Sequence, residues 1–330
     1  MATTWMIKTN GDPLATIRRL LVSIWKEAQL DGMMIPRFEP SSLGVVPFMA
    51  ITPEQVARAD PCAPLQIKNA ARRVADLARE LPTGRYAAVL RPCEGRALDG
   101  ICERSSLKMD DWLLIGVDCL ACFPRKEFAW RLEKAGGVDP ISQEALHFAR
   151  QGGITPYRYR RACQECSAPG WEGAALSIEL LGLPVRRWLH VRVQEGVNSL
   201  DLSGIADGQA DPVMVAGRQR VLDEVIARRS SARLHTGFNL PAGVPATVDE
   251  LIAWLDNCAP CQECLLACPI YVDEMALARQ GELSRIDAVK RWLAACSSCG
   301  LCEEACPKGF PMSAVIHRLE DELIGHLALA

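Results

Sequence analysis

Two runs of four cysteines near the carboxyl end constrain this chain more than any other feature of its sequence. The run Cys258-x2-Cys261-x2-Cys264-x3-Cys268-Pro269 is repeated as Cys296-x2-Cys299-x2-Cys302-x3-Cys306-Pro307. This spacing is typical of chains that bind 4Fe–4S clusters, because three closely spaced cysteines surround one face of a cubane and a proline turn holds the fourth. The alternative is two structural zinc sites. Four thiolates per run, followed by proline, favour the clusters.

The fourth cysteine of each run is expected to bind the cluster of the other run, as in two-cluster ferredoxins. By this rule one cluster is held by Cys258, Cys261, Cys264 and Cys306, and the second by Cys296, Cys299, Cys302 and Cys268. Helices are predicted over Leu283–Ala295 and over about Ser313–Leu329. Because the segment between the runs is longer than a minimal ferredoxin needs, we expect a mainly helical, ferredoxin-like two-cluster domain over residues 246–330.

The cysteine count also indicates a compartment. The chain has fifteen cysteines among 330 residues, an odd number, and its first residues lack the apolar stretch of a secretory signal. No run of about 18 apolar residues predicts a membrane span. A cysteine-rich chain kept in a reducing cytosol more often binds metal than forms disulfides. These features predict a cytoplasmic metalloprotein, and a net charge of −3 argues against a nucleic-acid partner.

Several catalytic and nucleotide motifs are absent from the sequence. It contains no G-x-G-x-x-G, no G-x4-G-K-[ST] and no C-x3-C-x2-C triplet, which disfavours dinucleotide, triphosphate and radical chemistry. The five histidines are scattered, and we predict no catalytic residue. A 4Fe–4S cluster with four thiolate ligands has no open iron for a substrate, so the pattern indicates transfer of single electrons.

The remaining residues, 1–245, predict an α/β domain with a mostly parallel sheet. Strands are expected over Tyr86–Leu90 and Trp112–Val117 with a helix over Gly95–Arg104 between them, which is a βαβ unit. A linker is expected over Arg233–Pro245, before a capping box at Thr247. Further elements are predicted as helices over 13–28, 66–81 and 218–229 and a strand over 189–193.

A second group of cysteines lies in this α/β part. Cys93 and Cys119 each follow a predicted strand, and the carboxyl ends of parallel strands meet at one edge of the sheet. Together with Cys163 and Cys166 they could supply four thiolates to a third 4Fe–4S cluster, with Cys122 as a fifth candidate.

Other readings of this group stay open. Cys93 and Cys119 are alternatively buried core residues, and Cys163 and Cys166 alternatively belong to a zinc knuckle. Arg91 and Arg161, each close in sequence to a proposed ligand, are expected to offset part of the thiolate charge. The run from Arg158 to Arg161 either binds an anionic cofactor or partner or is a solvated loop. Cys62 and Cys102 are predicted core residues.

Three segments resemble a known family. Leu90-Arg-Pro-Cys-Glu-Gly-Arg-Ala-Leu98, Ile115-Gly-Val-Asp-Cys119 and Arg161-Ala-Cys-Gln-Glu-Cys166, in this order, are similar to the beta subunit of cytoplasmic formate dehydrogenases. That subunit belongs with the beta subunits of hydrogenases and dehydrogenases linked to the deazaflavin coenzyme F420. The paired cysteine runs fit the same subunit, so the resemblance covers essentially the whole chain.

The resemblance implies an iron–sulfur subunit that relays electrons between a molybdenum or tungsten pterin catalytic subunit and a soluble acceptor. Members that react with the deazaflavin also bind FAD in the α/β domain and carry a Gly-Gly pair near the first helix, where this chain has Asp12-Pro13-Leu14. FAD is therefore left open here. The alternatives are a flavin-containing subunit that reacts with a soluble carrier, or the iron–sulfur component of a heterodisulfide-reductase-like or hydrogenase-linked complex.

Overall fold

In the computed structural model, a mixed β-sheet covered by helices is followed by a helical carboxyl-terminal region. The structure describes residues 2–152, 158–195, 202–238, 240, 242–258 and 261–327. This architecture confirms the predicted fold class of an α/β region followed by a helical ferredoxin-like region. Within the described ranges, no helix is both long and apolar enough to cross a membrane.

The sheet has eight strands in the order β3-β2-β4-β5-β6-β7-β1-β8. The central strands β2, β4, β5 and β6 are parallel, and the remaining pairs are antiparallel. β4 and β5 pair with Tyr86 opposite Trp112, which confirms the predicted βαβ unit. The strands are β1 (Thr3–Lys8), β2 (Gly32–Glu39), β3 (Gly44–Ala50), β4 (Tyr86–Leu90), β5 (Trp112–Val117), β6 (Leu176–Glu179), β7 (Trp188–Val193) and β8 (Gly208–Gln209).

The helices of the amino-terminal part are α1 (Pro13–Glu27), α2 (Pro53–Val56), α3 (Ala70–Glu80), α4 (Pro92–Ser105), α5 (Arg125–Ala135), α6 (Val138–His147), α7 (Arg161–Glu165) and α8 (Pro212–Phe238). Those of the carboxyl-terminal part are α9 (Val248–Cys258), α10 (Glu263–Leu266), α11 (Tyr271–Arg279), α12 (Arg285–Ala294), α13 (Leu301–Ala305) and α14 (Met312–Leu327). Helix α1 begins where the sequence predicts, because the Asp12 carboxylate accepts a hydrogen bond from the backbone N–H of Ala15 (3.0 Å).

Strand β4 is buried on both faces of the sheet. Ala87 and Val89 pack into a core with α1, while Tyr86, Ala88 and Leu90 pack into a second core on the opposite face. Side chains alternate between the two faces of a strand, so five consecutive buried residues are what a central parallel strand requires. The carboxyl end of this buried strand leads directly into α4, which begins two residues after β4 ends.

Two predicted boundaries differ from the structure. Helix α3 starts at Ala70 rather than at Gln66, because the Asn69 side chain accepts from the N–H of Ala71 and the amide of Gln66 donates to Glu94 (2.9 Å). The linker predicted from Arg233 is wrong in its first part, since α8 continues through Phe238. No glycine or proline interrupts α8 between Arg218 and Thr236, so its helix formers extend the helix.

The carboxyl-terminal helices share a hydrophobic core with one face of the sheet. Leu98 of α4 and Trp112 of β5 belong to the same buried cluster as Leu251 of α9 and Trp292 of α12. On the charged face of α3, Arg72 donates to the backbone carbonyl of Pro269 and pairs with an acidic side chain of α11. The segments on either side of the predicted boundary at residue 246 are therefore packed against each other.

Candidate metal centres

The first cavity of the carboxyl-terminal region is surrounded by the four cysteines that the crossed rule assigns to one cluster. Its sulfur-bearing lining residues are Cys258, Cys261, Cys264 and Cys306. The first three come from the first run and the fourth from the second run. Burial and the nearby thiol of Cys306 raise the pKa of Cys264 to about 11.

The lining of a second cavity contains the complementary four cysteines, Cys268, Cys296, Cys299 and Cys302. N–H groups point at their sulfurs: the indole N–H of Trp292 donates to Cys268 (3.3 Å) and the backbone N–H of Ser298 to Cys296 (3.4 Å). Burial raises the pKa of the thiols of Cys296 and Cys302. The isolated thiols are therefore protonated, and only a positive group such as a metal cluster would hold them as thiolates.

Where the structure describes both runs, they share two local backbone features. The residue after the second cysteine is left-handed in each, Gln262 with φ 49° and Gly300 with φ 70°, and a short helix carrying the third cysteine follows. Cys306 leaves its helix in an extended conformation, which the following proline favours. The fourth cysteine of each run, Cys268 or Cys306, lines the cavity of the other run.

The residues present fit a 4Fe–4S cluster in each of the two cavities. Four cysteines surround one empty space, and N–H donors reach the sulfurs, as thiolate ligands of a cluster require. Over the ranges that the structure describes, no three His, Cys, Asp or Glu side chains stand close enough together to hold a single metal ion.

The cysteines of the α/β part gather at the carboxyl edge of β4 and β5. Cys93 opens helix α4, Cys119 follows β5, and helix α7 carries Cys163 and ends at Cys166. Burial is the main cause that raises the pKa of the Cys119 thiol to about 11. The nearby thiols of Cys122 and Cys166 contribute to the same rise. The structure therefore brings all five candidate cysteines of this third set together.

Cys122 differs from the other cysteines of the third set. The pKa of the Cys122 thiol is lowered to about 6. The main cause is a hydrogen bond from the thiol of Cys163, and the guanidinium of Arg91 acts in the same direction. The Nη1 group of Arg91 donates to the Cys122 sulfur over 2.6 Å. Two sulfurs in hydrogen-bond contact are closer than two cysteine ligands at different corners of a cubane. Cys122 and Cys163 are therefore alternatives as ligands in this arrangement.

Buried arginines surround the third set. Arg91 and Arg160 are each only 4% exposed, and Arg96 reaches the sulfur of Cys166 over 3.8 Å. Arg91 was expected to offset thiolate charge, and it contacts Cys122. Arg161 was expected to do the same, but it is half exposed and pairs with Glu303 instead (3.6 Å). The sequence did not single out Arg96, although its position three residues after Cys93 on one helix was a usable signal.

The third set adjoins the second cavity. Burial raises the pKa of the Cys93 thiol, and the neighbouring thiol of Cys299 in the second run raises it further. A Cβ placed on Gly300 would lie 2.5 Å from that of Ala162 in α7, so only glycine permits this close approach. His317 lies buried across the same contact, with Nδ1 3.3 Å from a Glu165 carboxylate oxygen and Nε2 3.0 Å from the Ser298 hydroxyl.

A larger cavity of about 900 Å³, open to solvent, lies beside the third set. Asp118 is one of its lining residues. The Asp118 carboxylate accepts hydrogen bonds from the backbone N–H of Leu180 (2.8 Å) and from Nη2 of Arg218 (2.8 Å). Asp118 follows β5, so the strand-end argument applied to Cys119 would also have found it. Arg218 comes from α8, 100 residues away, and no local pattern indicates that pairing. The lining also includes Arg96, Gly116, Gly170, Trp171, Glu179 and Arg192.

A comparison with family models supports the iron–sulfur assignment of the carboxyl-terminal region. Residues 252–310 match the family model described as a 4Fe–4S dicluster domain. Among solved structures, the chain is similar to one of the F420-reducing nickel–iron hydrogenase complex from Methanosarcina barkeri, with 12% identity and a TM-score of 0.47, over 73% of this chain and 93% of that chain. No curated protein matches the sequence. The chain thus contains a 4Fe–4S dicluster domain.

Proposed function

We propose that this chain is an iron–sulfur electron-transfer subunit of an oxidoreductase complex. The observation that carries the proposal is the crossed grouping of the eight carboxyl-terminal cysteines around two cavities. A bound 4Fe–4S cluster with four thiolate ligands would supply reversible one-electron transfer there. The chain's own residues provide the ligands, the N–H donors to sulfur and the spacing between the centres.

The spacing between the cysteine sets supports a relay. Cys264 and Cys268 line different cavities yet are four residues apart, and so are Cys302 and Cys306. Four residues span at most about 14 Å, which bounds the separation of these ligands. The third set in turn lies beside Cys299. Three centres held in this series would connect the carboxyl-terminal surface with the large cavity of the α/β part.

One end of this series reaches the surface. Cys261 is the exposed member of the first set, and the neighbouring Leu266 is 67% exposed. The second and third sets contain buried or half-buried cysteines. We infer that a partner subunit exchanges electrons at the first cavity, because its ligands lie nearest the surface.

The finer assignment, a formate dehydrogenase-like beta subunit in the cytoplasm, rests on the resemblance around Cys93, Cys119 and Cys163. It implies a molybdenum or tungsten pterin subunit that oxidises formate to carbon dioxide and a proton and releases two electrons. The dicluster domain agrees with this role and equally with a heterodisulfide-reductase-like or hydrogenase-linked complex. The identity of the catalytic partner distinguishes these.

A flavin-containing subunit is the second candidate. The large cavity beside Cys166 favours it, because two glycines, Gly116 and Gly170, and the aromatic side chain of Trp171 are among the residues that line it. A flavin there would exchange single electrons with the third set and electron pairs with a soluble carrier. Flavin released from the purified full-length chain by denaturation would establish this candidate, and a flavin-free but iron-loaded chain would contradict it.

The proposed function is tested with the anaerobically reconstituted full chain and a formate-oxidising catalytic subunit. Formate should bleach the visible cluster absorbance only when that subunit is present. Dithionite serves as the control that the clusters can be reduced. Bleaching by dithionite but not by formate would contradict formate dehydrogenase, whereas failure to bind iron would contradict the electron-transfer function itself.

A further inference from the structure

We propose that Arg96 is a positioning residue that joins the third cysteine set to the second cavity and raises the reduction potential of a cluster bound by the third set. This inference rests on the proposed function. Arg96 lies in α4, one turn after Cys93. Residues three apart on a helix share a face, so the guanidinium and the sulfur of Cys93 point to the same region.

The guanidinium of Arg96 contacts both sides of the junction. Its Nη2 donates to the backbone carbonyl of Ser297 (2.9 Å), between Cys296 and Cys299 of the second run, and approaches the sulfur of Cys166 (3.8 Å). Its Nη1 donates to the carbonyl of Ala168 (3.0 Å). One planar side chain therefore fixes the loop after α7 and the second-run loop at the same time. A lysine has a single ammonium and cannot reproduce this planar fork.

The electrostatics favour the same role. The guanidinium of Arg96 is a permanent cation whose Nη2 lies 3.8 Å from the sulfur of Cys166, and it shares a helix face with Cys93. Two of the four proposed ligands thus lie beside one fixed positive charge. A cluster becomes more negative by one charge on reduction, so a fixed cation beside its ligands stabilises the reduced form and raises the potential.

A matched arginine on the same helix provides the control. Arg104 also reaches from α4 to the carboxyl-terminal region, where its Nε lies 2.9 Å from a carboxylate oxygen of Glu274. No cysteine is among the groups that shift the pKa of Arg104. Replacing Arg104 therefore breaks a comparable contact between the two regions without removing charge from the cysteines.

The test is a redox titration, followed by electron paramagnetic resonance, of the full chain as wild type, Arg96→Gln, Arg96→Lys and Arg104→Gln. We expect Arg96→Gln to lower the potential of the third-set cluster, Arg96→Lys to restore most of it, and Arg104→Gln to leave it unchanged. An unchanged potential in Arg96→Gln, or an equal shift in Arg104→Gln, would overturn the role of Arg96.

Iron content separates this proposal from the proposed function. The wild type should bind about twelve irons, four per cubane. A wild-type value of about eight would refute the third cluster and with it this role of Arg96, but would leave the two-cluster relay intact. If Arg96→Gln loses iron, the potential measured for Arg96→Lys decides, because lysine keeps the charge. A potential close to that of the wild type in Arg96→Lys supports the proposal, and a clearly lowered potential in an Arg96→Lys variant that retains its iron overturns it.

Discussion

The indole N–H of Trp292 donates a hydrogen bond to the sulfur of Cys268 over 3.3 Å, which ties helix α12 to the fourth cysteine of the first run. Trp292 is fully buried in the core that the two regions of the chain share. A packing residue of that core is therefore also a hydrogen-bond donor to a proposed cluster ligand. Hydrogen bonds to the sulfurs are among the factors that set the potential of a cluster.

Replacing this donor should change both potential and stability. We expect Trp292→Phe to lower the potential of the cluster in the second cavity, and to cost about 1–3 kcal/mol for the lost hydrogen bond and volume. Redox titration and chemical unfolding measure the two effects. Trp254→Phe, which alters a ring stacked on Phe310 beside the first cavity, is the control. Equal potentials in wild type and Trp292→Phe would contradict the role of the hydrogen bond.

Crossed ligation predicts which cluster each fourth cysteine serves. Cys268→Ser should disturb the cluster of the second run, and Cys306→Ser that of the first, because each lines the other run's cavity. Each change should also lower stability, since cluster binding contributes folding free energy. Spectroscopy of the two variants distinguishes the clusters, and damage confined to the variant's own run would refute the crossing.

The third set predicts a graded loss of iron. Cys93→Ala and Cys119→Ala in the full chain should each reduce iron from about twelve to about eight per chain. Cys122→Ala should retain the cluster, because Cys93, Cys119, Cys163 and Cys166 supply four thiolates without it. Iron and sulfide analysis measures the outcome. Loss of iron in Cys122→Ala with retention in Cys119→Ala would move one ligand to position 122.

Gly300 should be irreplaceable for steric reasons. Gly300→Ala places a methyl group 2.5 Å from the Cβ of Ala162 at φ +70°, whereas Gly309→Ala meets nothing within 4 Å at φ +62°. The left-handed backbone costs each variant about 1 kcal/mol. We expect Gly300→Ala to lose more stability than Gly309→Ala and to loosen α7. Equal losses in chemical unfolding would show that the contact with Ala162 is unimportant.

Asp60 gives a prediction for pH. Burial raises the pKa of its carboxyl from 3.8 to about 6, against the opposing hydrogen bond from the Ser142 hydroxyl (2.7 Å). The folded state therefore binds the proton more tightly than the unfolded state, so stability falls as the pH rises through about 6 and then levels off. Between pH 5 and 7.5 the ionisation of this carboxyl should cost on the order of 1 kcal/mol.

The variant Asp60→Asn isolates this effect, because its amide does not titrate. The difference in unfolding free energy between wild type and Asp60→Asn should change with pH by that amount, in favour of the wild type at pH 5. A difference that stays constant from pH 5 to 7.5 would show that Asp60 keeps an ordinary pKa.

Local patterns predicted much of this protein. The spacing of the paired runs indicated a two-cluster domain, and residues 252–310 match such a domain. The apolar runs at Tyr86–Leu90 and Trp112–Val117 predicted parallel strands that the structure contains. Such features depend on residues that are close in sequence. The periodicity of apolar residues predicts helices and strands, and a proline predicts a turn, without knowledge of the tertiary structure. Strand β1 was not predicted from the sequence, because its partners β7 and β8 lie far away along the chain. The hairpin of β2 and β3 was also missed, although the connecting segment Pro40-Ser-Ser-Leu-Gly44 is a usable turn signal.

The sequence by itself thus determined the cysteine sets, the βαβ unit and the helical character of the carboxyl-terminal region. Only the tertiary structure decided that the two regions share a core, that Arg96 reaches Ser297 across 201 positions, and that Arg218 pairs with Asp118 across 100. A guanidinium has many acidic and carbonyl partners available in a chain of this length. Its actual partner is set by how the sheet and helices pack, because ion pairs and hydrogen bonds depend on distance in space rather than along the chain.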